Sequence, residues 1–157
     1  MQSGVWPIAD RNSSRPDGVA GSHSCAHSPR CATNQFMMMP LDGIRVVDWT
    51  IWQQGPVCSL MLGDLGADVI KIEERVGGDP GRGMLRSAGI DLTGHPNFYF
   101  EANNRNKRSL ALDLKQPDGV KIVHELIAQS DVFVQNFRKG VADRLGLGVA
   151  ALRAINP

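Results

Sequence analysis

Three cysteines, Cys25, Cys31 and Cys58, are too few and too oddly numbered for a disulfide framework, and no secretory signal accompanies them. A small secreted domain stapled by disulfides is excluded, and a reducing, cytoplasmic setting is expected. Long apolar runs are missing as well. No stretch reaches the length of about 18 apolar residues that a membrane-spanning helix needs, so no membrane partner is expected. Charge of either sign is balanced, with 17 Lys and Arg against 16 Asp and Glu. A net charge of +1 offers no global field for nucleic acid, and any site for a polyanion has to be local. Metal-ligand spacing is also lacking. His23, Cys25, His27 and Cys31 lie close together but match no pattern with a known geometry, so no metal is expected.

What is present suits one domain with a core: 157 residues, 42% hydrophobic and 21% charged. The core does not begin at once. Residues 1–36 are rich in Ser, Pro and Gly and show neither helical nor strand periodicity, so they cannot offset the entropy of ordering and are expected to be disordered. The run Met37-Met38-Met39 suggests a natural start there. Residues 1–39 are therefore read as a leader and 40–157 as the folded domain. A transit peptide is the weaker reading of Arg11, Arg15 and Arg30, because Pro16, Pro29 and the glycines spoil an amphipathic helix.

The organising stretch is Ile44 to Glu73. A β-branched run at Ile44 to Val47, a turn at Gly55-Pro56, apolar residues at helical spacing and a second run at Val69 to Ile72 spell one βαβ unit. Pro56 suits the first turn of that helix and Gly66 the position past its end. Leu60, Met61, Leu62 and Leu65 make the helix apolar on more than one side, which predicts a well-buried helix, with Cys58 as a small buried hydrophobe. In such a sheet, ligands bind at the carboxyl ends of the strands, which points to Thr50 to Pro56. NAD is excluded, because the turn Trp52-Gln53-Gln54-Gly55-Pro56 carries one glycine where a dinucleotide fingerprint has three.

From Arg75 to Asn97 a Gly- and Pro-rich connection is expected to lie over the strand ends. Asn104 to Ser109, taken alone, reads as a solvated basic turn. Leu110 to Leu114 reads as a third strand, and a helix follows Gln116-Pro117 with Val120, Val123, Leu126 and Ile127 on one face. Val132 to Gln135 is the fourth strand, Val141 to Leu145 a helical turn and Val149 to Ile155 a last helix. The fold class expected is α/β, a Rossmann-like parallel sheet with helices on both faces.

The ordered stretches Pro40-Leu-Asp-Gly-Ile-Arg-Val46, Gly55-Pro56, Leu65-Gly-Ala-Asp-Val-Ile-Lys-Ile-Glu73, Gly78-Asp79, Asn104-Arg-Asn-Lys-Arg-Ser109, Leu112-Asp-Leu-Lys115, Asp131-Val132, Asn136-Phe137 and Arg144-Leu-Gly-Leu-Gly148 resemble the class III CoA-transferases, or CaiB/BaiF family. That family includes formyl-CoA transferases, carnitine CoA-transferases and α-methylacyl-CoA racemases. The resemblance runs from Pro40 to Pro157 and implies that coenzyme A, free or as acyl-CoA, lies across the carboxyl edge of the sheet. It carries the coenzyme contacts onto Gln53, Gln54, Leu112, Lys115, Asn136, Phe137, Arg138 and Arg144. Lys115, Arg138 and Arg144 suit the 3′-phosphate and pyrophosphate. Taken alone, each cation also reads as a solvated surface charge.

Four positions depart from the family pattern: Trp52 and Gln54 replace smaller residues beside the acyl pocket, Lys139 replaces a proline, and Glu74 stands where some members have arginine. The resemblance also implies a nucleophilic Asp, or a His and Asp pair in the racemases, on a later segment. The chain is therefore expected to be an N-terminal fragment without catalytic residues of its own. The full-length enzyme would use an acyl-CoA and a carboxylic acid as small-molecule substrates and form an interlocked homodimer. The expected function is CoA transfer through an Asp-linked acyl anhydride. The alternatives are a racemase of the same fold and a non-catalytic nucleotide-type binding module.

Overall fold

The computed structural model describes residues 38–157 except Ala88. The expectations for residues 1–36, including His23, Cys25, His27 and Cys31, fall outside the described residues. Four strands form a fully parallel sheet: β1 (Arg45–Trp49), β2 (Asp68–Glu74), β5 (Lys107–Leu112) and β6 (Val132–Gln135). Their order is β5-β2-β1-β6, so the chain builds outward from β1 through β2 to β5 and then returns to β6 on the other side. The point where that order reverses lies between β1 and β6, and in doubly wound sheets it opens a crevice. Parallel neighbours need crossovers. Helix α1 (Gln54–Asp64) links β1 to β2, and α3 (Pro117–Ile127) links β5 to β6.

Residues paired across strands share a face of the sheet, and the two faces differ sharply. One is apolar: Val47, Trp49, Ile70, Ile72 and Phe133 pack against Val123 and Ile127 of α3, Ala142 of α4 (Val141–Arg144) and Leu152 of α5 (Val149–Ile155). The other carries a small apolar patch, Val46, Val69 and Val134 with Leu62 of α1. Towards the carboxyl edge the same face becomes charged, with Asp48 paired to Lys71 and Lys71 to Ser109 in register.

Local chemistry explains the ends of α1. Gly55 is required because an added Cβ would lie 2.6 Å from Thr50 Cβ and 2.9 Å from the Asn136 side chain. Gly66 follows the helix at φ +104°, and the Ala67 amide donates back to Leu62 O at 3.1 Å, closing the last turn.

The architecture is the expected α/β sheet with helices on both faces, and several particulars differ. Helix α1 is not well buried: Gly55, Pro56, Ser59 and Leu60 are covered, whereas Met61 is 61% exposed, Leu65 44% and Cys58 also faces solvent. Only one side of α1 rests on the sheet, so its extra apolar residues did not signify burial. Strand β5 starts at Lys107 rather than Leu110 and ends at Leu112. Its first residues alternate polar-in rather than apolar-in, so the apolar pattern hid them. The Gly- and Pro-rich connection is more ordered than its composition suggested. It contains a 3₁₀ turn (Pro80–Gly83) and a hairpin of β3 (Arg86–Ser87) and β4 (Ile90–Asp91), and it leads into α2 (Phe98–Asn104), which packs on α1.

Candidate functional site

The turn after β1 meets the loop after β6 at the reversal point. Asn136 closes the gap with both halves of its amide: the Ile51 N–H donates to Asn136 Oδ1 at 3.0 Å, and Asn136 Nδ2 donates to Ile51 O at 2.7 Å. The next residue, Phe137, stacks on Trp49 with ring centroids 4.2 Å apart, which ties the loop to the apolar face. Gln53 and Gln54 follow the turn at the start of α1, and both are exposed.

Lys115 and Arg144 come together from distant points in the chain. They line one hollow of about 440 Å³ with Leu114, Gln116, Pro117, Val120, Lys121, His124 and Leu145. The first turn of α3 forms one wall, with Pro117 where the missing N–H costs nothing. The Lys115 amide donates to Asp113 Oδ1 at 3.0 Å, and the His124 ring nitrogen Nε2 lies 2.9 Å from Gly146 O. Three cations and the amino end of a helix thus face one concavity, an arrangement suited to phosphate. Leu112 packs with Leu110, Leu114 and Phe137 on the apolar core. Arg138 does not join Lys115 and Arg144; it lines a separate hollow with Lys139, Gly140 and Asp143.

Behind the edge lies a buried charged network that the apolar pattern could not reveal. Asp48, fully buried, accepts from Thr50 Oγ1 at 2.5 Å, Ser59 Oγ at 2.6 Å and Lys107 Nζ at 2.9 Å. Lys107 also donates to Pro56 O at 2.8 Å and Asn104 Oδ1 at 3.0 Å, so its three protons have three acceptors. Burial pushes the Lys107 ammonium below its usual pKa, and the Asp48 carboxylate opposes that shift. The expected solvated turn is thus corrected at its centre: Lys107 is an interior strand residue whose side chain is 2% exposed.

Lys71 donates to Thr50 O at 2.8 Å and lies 2.8 Å from Asp79 Oδ2, an ion pair not aligned as a hydrogen bond on that oxygen. Glu73 accepts from Arg82 Nε at 2.7 Å, Arg82 Nη2 at 2.8 Å, Ser109 Oγ at 2.7 Å and the Asp79 N–H at 2.9 Å. Burial pushes the Glu73 carboxyl up, but these donors outweigh it and hold the group at about 2. Arg82 stacks 3.9 Å over the Phe100 ring, and Glu73 raises its pKa further. A sequence signal for this network did exist: Lys71 interrupts the run Val69-Ile70-Lys71-Ile72, and a charge inside a β-branched strand has to find a partner.

Among the described residues no group of three or more His, Cys, Asp or Glu side chains is placed to hold a metal ion. Asp48 of β1, Asp64 of α1 and Asp113, just past β5, all accept hydrogen bonds. Asp48 is saturated by its three donors, Asp64 pairs with Arg105 at 2.6 Å and Asn106 at 2.7 Å, and Asp113 caps Lys115.

Comparison with known proteins fits this geometry. Residues 41–157 match the model of CoA-transferase family III. The chain is 45% identical over 121 residues to a formyl-CoA:oxalate CoA-transferase of Rhodopseudomonas palustris, covering 77% of this chain and 28% of that protein. It is 42% identical over 119 residues to a succinyl-CoA–L-malate CoA-transferase β subunit of Chloroflexus aurantiacus, covering 76% and 28%. The crystal structure of a CaiB/BaiF family protein from Brucella suis superposes with a TM-score of 0.64 at 39% identity, covering 76% of this chain and 31% of that one. A hypothetical protein from Mycobacterium tuberculosis gives 0.68 at 38%, with 76% and 31% covered. The chain thus spans under a third of the length of these relatives. Its parallel sheet, the turn and loop that meet at its reversal point and a match running from residue 41 to 157 all agree: this chain belongs to CoA-transferase family III.

Proposed function

We propose that this chain provides the coenzyme A-binding part of a CoA-transferase that moves CoA between an acyl-CoA and a carboxylic acid. The observation that carries the reading is the convergence of Lys115 and Arg144 in one hollow, beside the first turn of α3. That hollow lies within the stretch that matches the family. Coenzyme A brings a 3′-phosphate and a pyrophosphate, and a chain with a net charge of +1 can bind them only through a local group of cations. Leu112, Asn136, Phe137 and Arg138 shape the same edge of the sheet, and Gln53 and Gln54 present amides beside it.

The transfer chemistry requires a carboxylate that attacks the thioester carbonyl. The C–S bond breaks and CoA leaves as the thiolate, giving an enzyme-linked acyl anhydride. The thiolate attacks the enzyme's own carbonyl in that anhydride and expels the first acid as its carboxylate, leaving an enzyme–CoA thioester. The second carboxylate attacks that thioester and expels the thiolate, which returns to the second acid's carbonyl to form the new acyl-CoA and free the enzyme carboxylate. The resemblance to the family implies a nucleophilic Asp on a later segment, so we assign the nucleophile to the part of the relatives that this chain does not span; Asp48, Asp64 and Asp113 hold hydrogen bonds of their own. The names of the relatives at 42% and 45% identity favour transfer over racemisation.

The test is titration with CoA and with dephospho-CoA by calorimetry at two salt concentrations. CoA is expected to bind more tightly, and binding to weaken with salt as the charge contacts are screened. Equal affinity for the two ligands would remove the 3′-phosphate from the reading.

A further inference from the structure

We infer that the buried Lys71–Asp79 pair is a positioning device for the turn into α1, fixing where Gln53 and Gln54 stand. The inference rests on the coenzyme A reading for its functional consequence, though not for its structural part. Four backbone groups of three consecutive residues are held by side chains from other elements. Lys71 takes Thr50 O at 2.8 Å, Asn136 takes both Ile51 groups, and Asp79 Oδ1 takes the Trp52 N–H at 3.4 Å. Asp79 is in turn fixed by the Gly81 N–H at 2.8 Å and by its own N–H on Glu73 at 2.9 Å. The loop after β2 and the turn after β1 therefore share one hub, whose side chains are only 2% and 1% exposed.

Stability alone does not account for this arrangement. A buried ion pair gains little over an apolar pair of the same volume, because desolvation offsets the attraction. An apolar pair, however, could not bond Thr50 O or the Trp52 N–H. Trp52 needs such restraint: it is a bulky L-residue at φ +70°, a conformation that persists only where the surroundings impose it. Residues 53 and 54 follow directly, so the pose of Trp52 sets theirs. Lys71 and Asp79 act on a ligand only through this turn and are positioning residues.

The experiment uses the whole 157-residue chain and reads two quantities: amide exchange of Ile51 to Gln54 without ligand, and the Kd for coenzyme A. Asp79→Ala is expected to speed Trp52 exchange about tenfold and to weaken CoA binding by a similar factor, as one lost hydrogen bond would. Asp79→Asn keeps an oxygen for the Trp52 and Gly81 N–H groups but turns an amide donor towards the Lys71 ammonium, so it should recover both effects only in part. Lys71→Met should loosen Thr50 to Trp52 in the same direction, and it decides the matter together with Asp79→Asn if the alanine variant does not fold. Ile127→Ala, at the C-terminal end of α3 and outside the hollow, should lower the Tm yet leave turn exchange and Kd within about twofold. Unchanged exchange at Trp52 in Asp79→Ala overturns the inference, as does an equal loss of CoA affinity in Ile127→Ala. If the wild-type chain binds no CoA while the exchange pattern holds, the coenzyme reading falls and the positioning role stands.

Discussion

Lys115 and Arg144 show how a single side chain acquires meaning from its neighbours. Each alone is an exposed surface cation, but together in one hollow they present charge that a phosphate can use. Lys115→Ala and Arg144→Ala should each weaken CoA binding by about five- to tenfold at low salt and by less at high salt, as read by calorimetry. Glu73 supplies a second test. Its pKa falls from 4.5 to about 2 on folding, so the unfolded chain binds the proton more readily than the folded one. The stability it contributes is complete above pH 4.5 and is lost as pH falls through that window towards 2. The contribution is at most about 3 kcal/mol, reduced by the solvent screening that half-exposed Arg82 permits. Glu73→Gln should therefore flatten the acid limb of a plot of unfolding free energy against pH, measured in urea.

At the scale of elements, the legible features were those governed by local periodicity and backbone chemistry. Val132 to Gln135 and Val149 to Ile155 lie where their patterns placed them, and Gly66 ends α1 with positive φ. Illegible were the start of β5 and the exposure of α1, since both depend on what lies opposite. Lys107 points into a cluster built by Asp48 and Asn104, residues that its own segment does not reveal as partners. Gly119 illustrates the same limit. In a helix interior alanine is normally better than glycine by about 1 kcal/mol. Here an added Cβ would meet Asp113 O at 2.3 Å, so α3 would have to move away from the strand it follows. Gly119→Ala should lower stability by about 1–3 kcal/mol in thermal unfolding, against the propensity scale, and should weaken CoA binding because the hollow shares that first turn.

For the whole molecule, the prediction is catalytic: this chain alone should not transfer CoA. Incubation with several acyl-CoA donors, followed by hydroxylamine trapping, should yield no stoichiometric acyl-enzyme. A trapped intermediate abolished by mutating Asp48, Asp64 or Asp113 would show that the nucleophile lies inside the chain. The sequence by itself determined the family, the parallel α/β class and the segments that lie at the carboxyl edge of the sheet, because ordered motifs, strand periodicity and turn residues are properties of contiguous chain. Only the tertiary structure decided that Lys115 and Arg144 share a hollow while Arg138 lies apart. Tertiary structure likewise decided that Lys71, Asp79 and Asn136 hold a turn far from them in sequence. The physical reason is that strand order and register bring distant side chains within hydrogen-bond reach, and no pattern along the chain specifies that distance.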